Sequence, residues 1–249
     1  MKKPPALQLQ KTILQVRYPA KLGFYDLLIP AAQRMSEYPH WGTNTLRVVL
    51  RDFDTHCSLA IEHNAFGYEQ DSADTEIEKT NIGRALTELP GALDIESFIR
   101  LGYRRQYLIP VEMPVESLVS VLNVKLFSQD DRLRRIMPAQ VSDLMYRIDS
   151  AEHAYKYHFT VGPVQKQEIP RYVTFNRENH LDPEKGEEVY QAIVAEYPDV
   201  AVFADIDLYQ VAELIPVQDA QAFVDTARER IHDILSGLSE YLFSGKLED

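Results

Sequence analysis

The sequence predicts an α+β fold in which antiparallel sheets are covered by helices. Two pairs of strand-forming segments are each joined by a short polar turn, 45–54 with 57–70 and 141–149 with 154–162, as in β-hairpins. Segment 218–243 carries apolar residues at three- and four-residue steps, which is the pattern of an amphipathic helix. With 249 residues, 45% of them apolar, the chain is long enough to bury a sizeable core.

The other elements of the first part follow from local pattern. Residues 7–18 alternate between apolar and polar and predict a strand, whereas 21–37 predicts a helix that Pro30 should kink or split. Residues 99–111 predict a second long strand, and 116–127 predicts a helix after it.

Residues 71–97 are acidic and contain Pro90-Gly91, a pair that often interrupts regular structure. The wider segment 52–98 has 11 acidic residues against two basic ones. We therefore predict a loop over 71–97, with a helical turn near 80–88.

The second part continues with a polar stretch, a helix over 183–198 with Asp182 as its N-cap, and a strand over 200–214. Both parts thus contain a hairpin, a polar segment, a long strand and a helix, and an internal duplication would explain that order. We predict two related α+β halves, 1–128 and 129–249, that pack together.

Composition narrows the class of protein. The formal net charge is -12, which disfavours general binding to nucleic acid or to anionic membranes. Cys57 is the single cysteine, so no intramolecular disulfide is expected. The N-terminus shows no apolar signal-peptide core, and no apolar run is long enough to span a membrane. We expect a cytoplasmic protein.

Asp205 and Asp207 are the candidate metal ligands. In a strand they share one face, and paired carboxylates suit a hard divalent cation. A hard site needs further oxygen ligands, and no sequence motif supplies them. The alternative is a strand face that meets solvent or pairs with arginine, which we favour.

A basic segment, residues 100–147, stands out because it has eight basic and five acidic residues in an acidic chain. It suits either an RNA or phosphate groove or ion pairing with the acidic segment 52–98, in one chain or across a dimer. Arg105 falls on the apolar face of its strand, which favours a partly buried ion pair. The interaction candidates are Arg100, Arg104, Arg105, Arg132 and Arg135.

Common cofactor and catalytic motifs are absent. The sequence contains no GxGxxG, no GxxxxGK[ST], no GxSxG and no HExxH. Neither the adjacent His56-Cys57 pair nor His232-Asp233 suffices to define a catalytic or metal site. We predict no cofactor.

Three segments, KKPPALQLQKTILQVRY, RLGYRRQYLIPVE and the late ADIDLYQ before the terminal helix, resemble a sporadically distributed family of bacterial proteins of roughly this length. The chain departs from the family in its long acidic segment 71–97. The resemblance assigns no activity and no catalytic residues. It implies a bacterial cytoplasmic protein with an accessory role, such as defence or a mobile-element function.

Three functions remain open. The first, which we favour, is a non-enzymatic interaction or regulatory protein that binds a protein partner or self-associates as a homodimer. The second is a metal-dependent enzyme acting on a phosphorylated or nucleotide substrate, with Arg104, Arg132 and Arg135 as phosphate clamps and Asp205 and Asp207 at the metal. The third is an RNA-binding module that uses the basic segment.

Overall fold

The computed structural model of the chain describes residues 5–21, 23–44, 47–127, 143–173 and 175–243. Within these residues the chain forms nine strands and seven α-helices, which confirms the α+β class. The strands are β1 (Gln8–Arg17), β2 (His40–Asn44), β3 (Arg47–Asp52), β4 (Cys57–Glu62), β5 (Ala65–Gln70), β6 (Ser97–Pro110), β7 (Tyr146–Glu152), β8 (Tyr155–Gln165) and β9 (Val200–Pro216). The α-helices are α1 (Phe24–Arg34), α2 (Thr75–Ala92), α3 (Val115–Leu122), α4 (Ile169–Tyr172), α5 (Arg177–His180), α6 (Gly186–Ala195) and α7 (Ala220–Phe243).

All nine strands belong to one antiparallel sheet with the order β2-β3-β4-β5-β1-β6-β9-β8-β7. The central strand β6 is buried over most of its length, and so is the first half of β9, because side chains on both faces of the sheet are covered there. In β5, by contrast, buried and half-buried residues alternate with the two-residue period of a strand.

Helices α1, α2, α3 and α7 lie on one side of the sheet, which we call the helix face. Apolar residues of α1, α2 and α7 share one core with the strands, including Phe24, Ile82 and Ile231. A neighbouring core joins α3 and the end of α7 to β6, β8 and β9. The predicted terminal helix is therefore confirmed, since its apolar stripe packs against the sheet.

The opposite side of the sheet, the polar face, is covered only in part. The short helix α4 and the residues after α6 pack their apolar side chains on Leu108 and Phe203. The helix α5 lies over β3 and β4. The polar stretch after β8 therefore folds back onto the sheet and covers part of this face.

Two local predictions are wrong. Segment 57–70 is not one strand but a hairpin, since β4 and β5 are joined by a two-residue turn at His63-Asn64. Segment 71–97 is not a loop, since α2 spans most of it. Helix α2 buries an apolar stripe that includes Ile82, Leu86 and Leu89, and it continues past Pro90 in its last turn. Burial of that stripe outweighs the low helix propensity of proline.

The two parts of the sheet share an order of elements. Starting at β1, the chain runs through α1, strands that end in β5 beside β1, and then α2. Starting at β6, it runs through α3, strands β7 and β8, the helices α4 to α6, then β9 beside β6, and then α7. The predicted boundary at residue 128 lies outside the described residues, as do Arg132 and Arg135.

None of the described helices combines the length and the apolar character that a membrane span requires.

The first turn of α2 depends on Asp74, whose side chain accepts hydrogen bonds from the backbone N–H groups of Glu76 and Ile77 at 3.1 and 3.0 Å. We expect Asp74→Ala to lower the free energy of unfolding by about 1 kcal/mol, because two backbone donors lose their acceptor. Urea denaturation measures the loss. Asp54→Ala, at an exposed turn position, is the control, and an equal loss in both variants would contradict a capping role.

Candidate functional site

Asp205, one of the two candidate metal ligands, is buried on the polar face, and neighbouring side chains donate to both of its carboxylate oxygens. One carboxylate oxygen accepts a hydrogen bond from Arg104 Nε at 2.8 Å. The other accepts bonds from Arg104 Nη2 at 2.5 Å and from Gln106 Nε2 at 3.2 Å. Arg104 therefore binds Asp205 in a bidentate manner, which is the preferred geometry of a guanidinium and a carboxylate. The contact favours the arginine-paired interpretation of this strand face.

Asp207 lies two residues further along the same strand and interacts with a different guanidinium. Its carboxylate is 3.6 Å from Arg100 Nη2. Burial raises the pKa of Asp207, an effect that the nearby charges of Arg100 and Arg104 oppose. The two carboxylates thus face separate arginine partners, and a divalent cation between them would have to displace Arg104 from Asp205.

Arg105 is buried on the helix face, as its place in the strand pattern predicts. Its Nη2 pairs with Glu78 of α2, and its Nη1 donates to the Tyr107 hydroxyl at 3.1 Å. Arg228 of α7 donates to the same carboxylate at 3.1 Å. Arg105 of the basic segment is therefore ion-paired with Glu78 of the acidic segment 52–98, as one of the two interpretations of the basic segment predicts.

Glu78 is the acceptor at the centre of this helix-face cluster. It is 1% exposed, and it also accepts hydrogen bonds from the hydroxyls of Tyr103 at 2.6 Å and Thr12 at 3.3 Å. Burial raises the pKa of Tyr103, and the adjacent Glu78 charge adds to that effect, so the phenol stays protonated and donates. Two guanidinium groups and two hydroxyls together compensate one buried carboxylate.

The arginines of segment 100–147 do not form a single patch within the described residues. Arg100 and Arg104 lie on the polar face with aspartate partners, whereas Arg105 lies on the helix face. Arg147 lies on β7, at one end of the sheet. These four arginines therefore lie on three different parts of the sheet.

A second buried cluster, on the polar face, has no counterpart in the sequence-based prediction. We call it the Asp71 cluster; it consists of Lys11, Ser58, Glu69, Asp71 and His180. His180 is fully buried, with Nδ1 2.6 Å from Asp71 Oδ2 and Nε2 3.0 Å from Ser58 Oγ. The Lys11 ammonium lies 3.2 Å from Asp71 Oδ1 and also contacts Glu69.

The Asp71 cluster anchors the segment around α5 to the sheet. The backbone N–H of Asn176 donates to Asp71 at 2.7 Å, and its side-chain amide donates to Glu69 at 3.0 Å. The residues that meet here are up to 122 positions apart in the chain, so no spacing in the sequence reveals them.

Ligand atoms of Glu69, Asp71 and His180 lie within 4.8 Å of one another, which is close enough to share a cation. The Lys11 ammonium already contacts both carboxylates and is almost completely buried. A divalent ion here would have to expel that ammonium or place two cations side by side. The cluster is therefore better described as an ion-paired network than as a metal centre.

Ser58, His180 and Asp71 are connected in the order of a nucleophile, a base and an orienting acid. The surroundings do not suit acyl transfer. His180 is completely buried, and Ser58, the second residue of β4, is paired with β3 on one side and with β5 on the other. Its backbone N–H group therefore belongs to the sheet ladder rather than to an oxyanion hole. The arrangement best fits a structural contact that holds α5 on the sheet.

We expect Glu78→Ala to lower the free energy of unfolding by about 3–5 kcal/mol, because Arg105 and Arg228 would lose their shared buried partner. Urea denaturation measures the effect. Glu76→Ala is the matched control in the same helix, since Glu76 pairs with Lys79 at the surface and should cost less than about 1 kcal/mol. Equal losses would show that the buried cluster does not stabilise the fold.

Asp207 gives a test that depends on pH. Because its folded-state pKa is raised, the ionised carboxylate lowers stability above that pKa and has no effect below the ordinary value, where it is protonated in both states. Asp207→Asn should therefore raise the free energy of unfolding at pH 7, and the gain should shrink as the pH falls. Asp233→Asn, at an exposed position of α7, is the control. A loss of stability at pH 7 would mean that the Arg100 charge outweighs burial.

No family model matches the chain, and no curated protein matches it. Among solved structures the chain is similar to Methanococcus jannaschii TBP, with 9% sequence identity over 77% of this chain and 97% of that chain and a TM-score of 0.28. A TM-score of this size is too low to establish a shared fold.

Proposed function

We propose that the chain is a non-enzymatic interaction or regulatory protein of the bacterial cytoplasm, with an accessory or defence-related role, that binds a protein partner or itself. One observation carries the proposal: the buried charged side chains of the described residues have other side chains as ionic partners. The main groups are Arg104 with Asp205, Lys11 with Glu69 and Asp71, and Glu78 with Arg105 and Arg228.

Because these charged side chains are paired within the fold, exposed apolar side chains are the better candidates for contact with other molecules. A carboxylate or guanidinium that is bound within the fold is not free to hold a phosphate or a cation without a large cost. Several large apolar side chains are meanwhile exposed, among them Trp41 at 67% and Leu214 at 65%. Exposed apolar side chains support a role in protein contacts where they lie together in a patch.

We also propose that the chain consists of two related halves. The shared order of elements, β1 to α2 and β6 to α7, supports this proposal, because each set ends with a strand beside its own first strand and a helix on the same face. A boundary between the two halves that lies between α2 and β6 fits the shared order of elements better than a boundary at residue 128.

Thermal melting in the presence of divalent cations tests the proposed function. We expect millimolar Mg²⁺ or Mn²⁺ to leave the melting temperature of the wild-type chain unchanged, because the carboxylates of Asp205 and the Asp71 cluster are already paired. Asp205→Asn should melt at a lower temperature with or without the cation, because Arg104 loses a charged acceptor. A cation-dependent rise of several degrees that Asp205→Asn abolishes would contradict the proposal and favour a metal-dependent enzyme.

A further inference from the structure

Strand β2 ends the sheet among the described strands. It pairs with β3 on one side, and on the other side no described strand lies beside His40, Trp41 and Gly42. Such an edge can accept an additional strand. Because successive side chains of a strand point to opposite faces, a ligand strand beside β2 would meet both faces of the sheet at once.

On the helix face, the edge of β2 adjoins an apolar groove. A cavity of about 340 Å³ lies between α1 and strands β2 and β3. Trp41 stands at this groove with 67% of its surface exposed, and Ile29 of α1 is 50% exposed. The groove is lined by Ile29, Ala32, Met35, Tyr38, Trp41 and Val48.

On the polar face, the same edge carries a positive charge. Arg51 lies so close over Gly42 that a Cβ atom there would be 2.8 Å from Arg51 Nη1. Its Nε donates to Asn179 Oδ1 at 3.0 Å, and no carboxylate within the described residues forms an ion pair with it. Burial and the nearby Arg47 charge lower the pKa of Arg51, an effect that Glu178 opposes. An acidic side chain beside Gly42 would relieve this excess of positive charge.

We propose that β2 binds an extended segment of a partner protein by strand addition, and that this segment carries an acidic residue between apolar ones. The acidic residue lies beside Gly42 and pairs with Arg51, while its neighbours point into the groove at Trp41. The inference rests on the proposed interaction function and names the partner's chemistry.

A second copy of the chain fits this edge less well. Antiparallel pairing of two β2 strands about a twofold axis centred at Gly42 would bring the Arg51 side chains of both copies to the same side of the joined sheet. Like charges that face each other at close range are destabilising. The edge therefore favours a partner that supplies negative charge.

Selection from a phage-displayed library of random dodecapeptides tests the proposal. We expect the wild-type chain to enrich peptides with an acidic residue flanked by apolar residues. A selected peptide, made synthetically, should bind Trp41→Ser and Arg51→Gln at least about tenfold more weakly than wild type, because each variant removes one half of the recognition. Hydrogen exchange should show that the peptide protects the backbone amides of β2. Thermal melting checks that both variants remain folded.

The strand β7 at the other end of the described sheet provides matched controls. Arg147→Gln and Ile148→Ser remove an exposed arginine and a partly exposed apolar side chain from that edge, and they should leave peptide binding unchanged.

The outcomes separate this inference from the proposed function. Enriched peptides whose affinity depends on β7 and not on Trp41 or Arg51 would overturn the β2 site and leave an interaction function intact. Selection of basic peptides, or binding that is unchanged in Arg51→Gln, would overturn the charge assignment.

A concentration-dependent dimer that Trp41→Ser abolishes and Arg51→Gln strengthens would overturn the assignment of a partner protein and make a second copy the occupant. Failure to enrich any peptide would overturn the inference, whereas the cation-dependent melting described above bears on the proposed function alone.

Discussion

The ionic contact of one buried carboxylate, Glu78, determines how the helix layer meets the sheet. Glu78 lies on α2 and is bound by Arg105 of β6 and Arg228 of α7. A carboxylate that is removed from water needs such partners, because without them the charged form would be strongly disfavoured. The two long helices must therefore lie over the centre of the sheet at positions that let all three groups meet. The apolar core around them adds the larger free energy, but it does not by itself specify that register.

The polar face obeys the same requirement with different residues. Asp71 there accepts hydrogen bonds and ionic contacts from Lys11, His180 and the backbone of Asn176. These contacts hold a segment that contains only short helices and buries a smaller apolar core than the helix face does. The sheet edge at β2 differs from both clusters, because Arg51 has no carboxylate ion-pair partner there within the described residues and Trp41 beside it is exposed.

Local patterns in the sequence predicted most elements correctly where one residue period was clear. The alternation over 7–18 and the apolar stripe of 218–243 correspond to β1 and α7, because a strand or helix with one apolar face has few other ways to bury it. The prediction was wrong where composition competed with period. In 71–97 the acidic residues and Pro90 conceal the stripe of α2, and in 57–70 a run of strand-forming residues conceals a polar turn of only two residues.

The sequence by itself determined the fold class, the long strands and the amphipathic terminal helix, since each depends on neighbours within a few positions. It also indicated that Arg105 would form a partly buried ion pair with an acidic residue. Only the tertiary structure decided which acid that was, that Arg104 meets Asp205, and that Lys11, Asp71 and His180 converge. Those contacts join residues that are 27 to 109 positions apart in the chain. Which residues meet follows from strand order and helix placement, and no local period in the sequence encodes these.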